Sequence, residues 1–143
     1  MKCEVLLIPD GEEKVLIYAK EHNQTVEDIR RFVCDLDREL LGYRDKEIVK
    51  LNPLDLAYIT VIGGKVVGVR GSEHYLIKER LYTLAEKLPD CFVKINQSCL
   101  ANLRQIERFD TSLAGTLKIR FQNGDTDYVS RRQLKAVKEK VGM

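Results

Sequence analysis

The stretch Cys91-Phe92-Val93-Lys94-Ile95-Asn96-Gln97-Ser98-Cys99-Leu100-Ala101-Asn102-Leu103-Arg104-Gln105-Ile106 decides how the chain is read. Pro89-Asp90 closes the segment before it, because proline cannot continue a helix, and Phe92 to Ile95 then reads as a strand. A polar break, Asn96-Gln97-Ser98, follows, flanked by Lys94 and Arg104. Phe92, Leu100 and Ile106 are assigned to the core, and Asn102 to satisfying backbone groups near a turn. Cys91 and Cys99 read as small buried hydrophobes rather than a redox pair, since nothing in the sequence lowers a thiol pKa.

Downstream, Leu117, Ile119 and Phe121 alternate with Lys118, Arg120 and Gln122, so one face of this strand is core and the other partly basic. Asn123-Gly124 is hairpin-turn chemistry leading into Thr126 to Val129. Ser130 is placed to cap a last helix, about 131–141, with Leu134, Val137 and Val141 as its apolar stripe.

Upstream, short apolar runs alternate with turns: Ile48 to Leu51, Asn52-Pro53, Leu56 to Ile62, Gly63-Gly64, Lys65 to Val69, Arg70-Gly71-Ser72 and Tyr75 to Ile77. This predicts an antiparallel meander. Leu81, Leu84, Ala85 and Leu88 mark a short helix. Nearer the start, Cys3 to Ile8 and Lys14 to Ala19 flank Pro9-Asp10-Gly11, which predicts a hairpin. Thr25 as cap, the series Val26, Ile29, Val33, Leu36, Leu40, and the stop at Gly42 predict a helix from about Val26 to Leu41. Its stripe fits two heptads, so packing on its own sheet and pairing with a second copy both stay open. The expected organisation is an extension, 1–46, for dimerisation or regulation, followed by a domain-sized unit, 47–143. The fold class is mostly β with short helices (α+β).

Composition sets the outer bounds. With 143 residues, 44% hydrophobic and 32% charged, the chain is a globular protein of ordinary type, which excludes collagen, disorder and disulfide-dense scaffolds. The 4 Cys form no C-x-x-C pair, and no His/Cys cluster has zinc spacing, so they read as reduced and mostly buried thiols without a metal. Only His22 and His74 supply imidazoles, and neither falls in a nucleophile motif; Gly63-Gly64-Lys65 lacks the rest of a P-loop. No enzyme activity, cofactor or small-molecule substrate is expected. The first apolar run stops at Pro9 and no later one approaches the roughly 18 residues of a membrane span, so the expected location is cytoplasmic. Net charge is only +2, but residues 1–53 carry −3 and residues 54–143 carry +5. The last 53 residues hold 10 basic and 5 acidic side chains, a mild signal for a polyanionic partner.

Taken in order, the "F-x-x-I-x-x-S-x-x-x-N-x-x-x-I" core beginning at Phe92, the basic strand, Asn123-Gly124 and the closing Val129-Ser130-Arg131-Arg132 resemble the LytTR DNA-binding domain. The resemblance covers about Leu51 to Met143, and the whole chain is similar to short stand-alone members of that family. It implies an antiparallel β fold that inserts loops, not a recognition helix, into successive major grooves of double-stranded DNA, as a homodimer on a repeated site. By position it places Gln97, Arg132 and Lys65 at bases, and Asn96, Ser98, Ser130, Arg131, Lys94 and Arg104 at phosphates. The family commonly has His where this chain has Asn96, and Arg, Lys or Asn where it has Gln97. That departure bears on base preference, although Gln pairs bidentately with adenine as Arg does with guanine.

A physical argument singles out the same arginines. Cations in the first turn of a helix oppose its macrodipole, so Arg131 and Arg132 after Ser130 are out of place unless an anion sits there. The implied activity is sequence-specific transcriptional regulation without chemistry on the DNA. The 53-residue acidic start is too short for the receiver domain often fused to this family, so phosphorylation through such a domain is not expected. By the same resemblance, an inhibitory membrane protein is a further expected partner. The rival reading is a non-enzymatic adaptor whose β edges bind protein. Salt separates the two, since binding through phosphates weakens steeply as salt rises.

Overall fold

The computed structural model describes residues 1–35, 39–112 and 114–143. Helix α1 (Gln24–Asp35) precedes five strands: β1 (Leu40–Arg44), β2 (Glu47–Leu51), β3 (Tyr58–Ile62), β4 (Lys65–Arg70) and β5 (Glu73–Leu76). Helix α2 (Leu81–Lys87) leads into β6 (Phe92–Asn96), β7 (Cys99–Asn102), β8 (Ile106–Thr111), β9 (Leu117–Phe121) and β10 (Thr126–Val129), and α3 (Arg131–Val141) follows. The strands form an antiparallel seven-stranded sheet in the order β2-β1-β5-β4-β3-β7-β6 and a three-stranded sheet in the order β10-β9-β8. The architecture is mostly antiparallel β with three short helices.

Register explains the two cores. Tyr58, Ala101 and Val93 stand opposite one another across β3, β7 and β6, while the adjoining positions Ile59 and Leu100 face the other way. On one side Ile59 and Leu100 pack with Leu51, Leu56, Tyr75, and with Leu84 and Leu88 around α2. On the other, Ala101, Ile95 and Cys99 pack against Leu117, Ile119 and Phe121 of the small sheet and Val137 of α3. The large sheet is therefore the middle layer. Tyr58 ties the layers together, its ring 4.8 Å from that of Phe121 and its hydroxyl donating to Asp125 at 2.7 Å.

Asn102 is the one buried polar residue in the described core, and its amide is fully used. It donates to the carbonyls of Leu54 and Leu56 (3.1 and 2.9 Å) and accepts from the amide of Arg104 (3.0 Å), capping the 3-10 turn Leu103–Gln105. The reading of Asn102 as a structural residue near a turn matches these bonds. Gly63 and Gly64 make the two-residue β3–β4 turn with φ of 58° and 78°. Positive φ at both positions is what this tight hairpin requires, and glycine supplies it without strain.

Several expectations are corrected. Helix α1 starts after Asn23, whose side chain accepts from the amide of Val26 (3.0 Å), so Asn23 rather than Thr25 is the capping side chain. The helix does not reach Leu41: Leu40–Arg44 is β1, held between β2 and β5. Leu36, part of the expected stripe, lies outside the described residues. Gly42 is no helix stop but a close-packing position, since a Cβ there would lie 2.5 Å from Leu51 Cδ1 and 2.8 Å from Tyr75 Cβ. Strand β2 sits at the far edge of the sheet rather than beside β3, with β1, β5 and β4 between them. Cys3–Ile8 and Lys14–Ala19 form no hairpin; residues 1–23 carry no strand, because a two-stranded ribbon with nothing to pack on is marginal. The thiols are not mostly buried: Cys3 and Cys34 are exposed, Cys91 is half-buried and only Cys99 is enclosed. Among the described residues no helix is long and apolar enough to cross a membrane, and no group of His, Cys, Asp or Glu is placed to hold a metal.

Candidate nucleic-acid interface

One end of the large sheet collects three bends. β3 and β7 pair antiparallel with Thr60 opposite Cys99, so the β3–β4 turn at Gly63-Gly64 and the β6–β7 turn at Asn96-Gln97-Ser98 emerge at the same end. The amide of Val61 donates to the carbonyl of Ser98 (3.0 Å), fastening the two turns together. The third bend is the β10–α3 junction, where the amide of Ser130 donates to the carbonyl of Ile95 (2.8 Å).

Asn96 is the clasp between these bends. Its Oδ1 accepts from the amide of Ser98 (2.9 Å), and its Nδ2 donates to Asp127 Oδ1 (3.1 Å) and the carbonyl of Tyr128 (2.9 Å). Asp127 Oδ1 also accepts from the amide of Tyr128 (2.7 Å). Both amide protons of Asn96 are thus bonded inside the protein, which makes it a shaper of the turn rather than a donor to phosphate. Nearby, burial first and Asp127 second push the Cys99 thiol well above its ordinary pKa, so this cysteine is protonated and inert.

The remaining expected site residues divide by position. Gln97 and Ser98 are exposed on the β6–β7 turn, Lys65 is exposed at the first position of β4, and Arg131 and Arg132 are exposed in the first turn of α3. Ser130 occupies the N-cap position of α3, yet its side chain makes no capping bond, which leaves the hydroxyl directed to no helix amide. Lys94 is exposed on β6, one of the two edge strands of the large sheet. Arg104 does not join the group. It follows β7 at the opposite end of the sheet, where its guanidinium lies 4.1 Å from the centre of the Phe32 ring of α1.

Charge placement adds residues that motif reading passed over. Arg131, Lys135 and Lys138 share a shallow groove along α3, at the i, i+4, i+7 spacing that puts them on one face. Among the described residues none of the five basic side chains of α3 makes an ion pair, whereas Arg30, Arg31, Arg44, Arg70, Arg108 and Arg120 all do. Tyr128 is 56% exposed, and Lys118 across the strand pair lies 5.8 Å from its ring centre. The signals for these were present as an unpaired basic stripe and as an aromatic at the outward position of an alternating strand.

Comparisons with known proteins bear on family and fold. The LytTr DNA-binding domain family matches residues 46–142. A protein of Staphylococcus aureus strain NCTC 8325 described as an uncharacterized HTH-type transcriptional regulator is 33% identical over 136 residues, 94% of this chain and 92% of its own. A relative of the same description in strain COL has the same identity and coverage. Among solved structures, a LytTr DNA-binding domain from Bacillus cereus superposes with a TM-score of 0.70 at 16% identity, covering 73% of this chain and 97% of its own.

Proposed function

Because the chain belongs to the LytTr DNA-binding domain family, we propose that it is a sequence-specific transcriptional regulator whose three clustered bends enter the major groove of double-stranded DNA. The observation that carries this reading is the bonding of the β6–β7 turn to both the β3–β4 turn and the start of α3, which gathers Gln97, Ser98, Lys65, Arg131 and Arg132 at one end of the sheet. In this reading Gln97, Arg132 and Lys65 contact base edges. Ser98, Ser130, Arg131 and Lys94 hold phosphates, assisted by the free amides that open α3.

No two described helices are consecutive in the chain, so a helix-turn-helix is not the reading element here, and bends must do that work. An anion at the start of α3 also removes the electrostatic conflict of two arginines in a first helical turn. Two copies on a repeated site match the small footprint of one sheet end, and the product performs no chemistry on the DNA. The protein acts in the cytoplasm.

Selection of bound duplexes from a random DNA pool tests the proposal. Enrichment of one motif, present twice at a fixed spacing, is the expected result. Recovery of no motif, together with binding that is insensitive to salt, overturns it in favour of the adaptor.

A further inference from the structure

The start of the chain presents apolar surface that its own fold does not use. Residues 1–22 make no backbone hydrogen bond among the described residues, and Leu6, Leu7 and Tyr18 are 84%, 94% and 92% exposed. Val5 to Ile8 and Val15 to Ala19 are apolar at successive positions, hence on both faces of an extended strand. A lone hairpin offers each of these strands only one partner and is marginal by itself.

We propose that this segment is a dimerisation arm whose occupant is the same segment of a second copy, paired antiparallel about a two-fold axis at Leu16. The proposal deepens the reading of two copies on repeated DNA. A two-fold axis normal to the sheet makes each residue face one of the same parity, and centring on Leu16 places Val15 opposite Ile17, Lys14 opposite Tyr18 and Glu12 opposite Lys20. Each symmetry-related pair occurs twice. The arrangement stacks aliphatic on aliphatic, sets a cation beside an aromatic ring, and closes each end with opposite charges. Centring on Ile17 instead opposes Lys14 to Lys20 and Glu13 to Glu21, which is repulsive.

In the single chain neither Glu12 nor Lys20 has an ion-pair partner among the described residues, and both are exposed. Cys3–Ile8, turned back by Pro9-Asp10-Gly11, then flanks the central pair on each side and completes four strands.

Sedimentation of the full chain over a concentration series provides the test, with Lys20→Glu and the double change Glu12→Lys/Lys20→Glu as variants. The wild type is expected to dimerise, Lys20→Glu to weaken association roughly tenfold, and the double variant to recover it. Leu16→Cys, in a chain with Cys3 and Cys34 changed to Ser, should cross-link copy to copy under mild oxidation. A wild type that stays monomeric, or a double variant no better than Lys20→Glu, overturns the arm. Anisotropy on a duplex with a single half-site is measured in parallel. Loss of that binding in every protein, wild type included, counts against the DNA reading and leaves the arm standing.

Discussion

At the scale of single residues, the proposed interface separates side chains that read from side chains that hold. Gln97 projects from the β6–β7 turn and is exposed, so Gln97→Ala should relax preference at one base pair, costing about 1 to 3 kcal/mol of discrimination while leaving the salt dependence unchanged. Arg131→Ala should instead weaken binding to all duplexes and lower the log-log salt slope by about one. Anisotropy titrations over a salt series on matched and scrambled duplexes distinguish these outcomes, and identical behaviour of the two variants would contradict the assignment. Asn96 acts through the turn it shapes. Asn96→Ala removes three bonds at a half-buried position, so about 1 to 3 kcal/mol of stability in urea unfolding should be lost, together with discrimination between specific and random DNA. Tyr58 gives the molecule an alkaline limit. Burial, and then its bond to Asp125, raise the phenol pKa above its ordinary 10. A raised acid contributes stability in its protonated form, fully below pH 10, and this is lost as pH climbs toward the folded-state value. Melting temperatures between pH 9 and 12 should therefore fall more steeply for the wild type than for Tyr58→Phe.

At the scale of elements, packing decides what local pattern leaves open. Gly42 shows this most sharply: a methyl group there meets Leu51 and Tyr75 at sub-contact distance, so Gly42→Ala should cost about 1 to 3 kcal/mol as β1 is pushed from β2 and β5. Leu84, fully buried where α2 meets the sheet, should cost about 2 to 5 kcal/mol on change to Ala. Both are checked by denaturant midpoints. The same packing explains which elements the sequence reveals. The strands around Gly63-Gly64 and Asn123-Gly124 carry their own turn chemistry, and α3 carries its stripe, so local signals sufficed. β1 hid behind an apolar spacing, Val33 to Leu40, that continues the helical series of α1, and only its neighbours β2 and β5 make it a strand. β7 is a four-residue buried run with no period to read. β8 mixes charges into its alternation because Glu107 pairs with Arg120 and Asp110 faces Lys118 across the strand. The candidate site was legible only as three motifs far apart in the chain. The bonds from Val61 to Ser98 and from Asn96 to Tyr128, which turn them into one surface, have no local signature, and for the same reason Arg104 looked adjacent in sequence while lying at the other end of β7.

At the scale of the whole molecule, the proposed reading gives the acidic start and the basic end of the chain separate tasks, and the DNA must satisfy both. In the proposed assembly the bends and the basic side chains of α3, none of which is ion-paired among the described residues, grip one half-site, while the arms at the other end of the sequence join two copies. If the two copies lie on one side of the duplex, their half-sites must repeat in phase with the helix, at about 10 to 10.5 base pairs or a multiple of it. Inserting about 5 base pairs between the half-sites turns one by half a revolution and should abolish the gain that two sites have over one. Inserting about 10 restores the phase and should recover much of that gain, reduced because a longer span lowers the effective concentration of the second contact. Footprinting and titration on the three duplexes check this. Lys20→Glu should lose the advantage of the paired site on the parent duplex while keeping affinity for a single half-site, whereas Arg131→Ala should weaken both alike. A phase effect that survives Lys20→Glu would mean that the copies meet through the DNA-binding sheet and not through their arms.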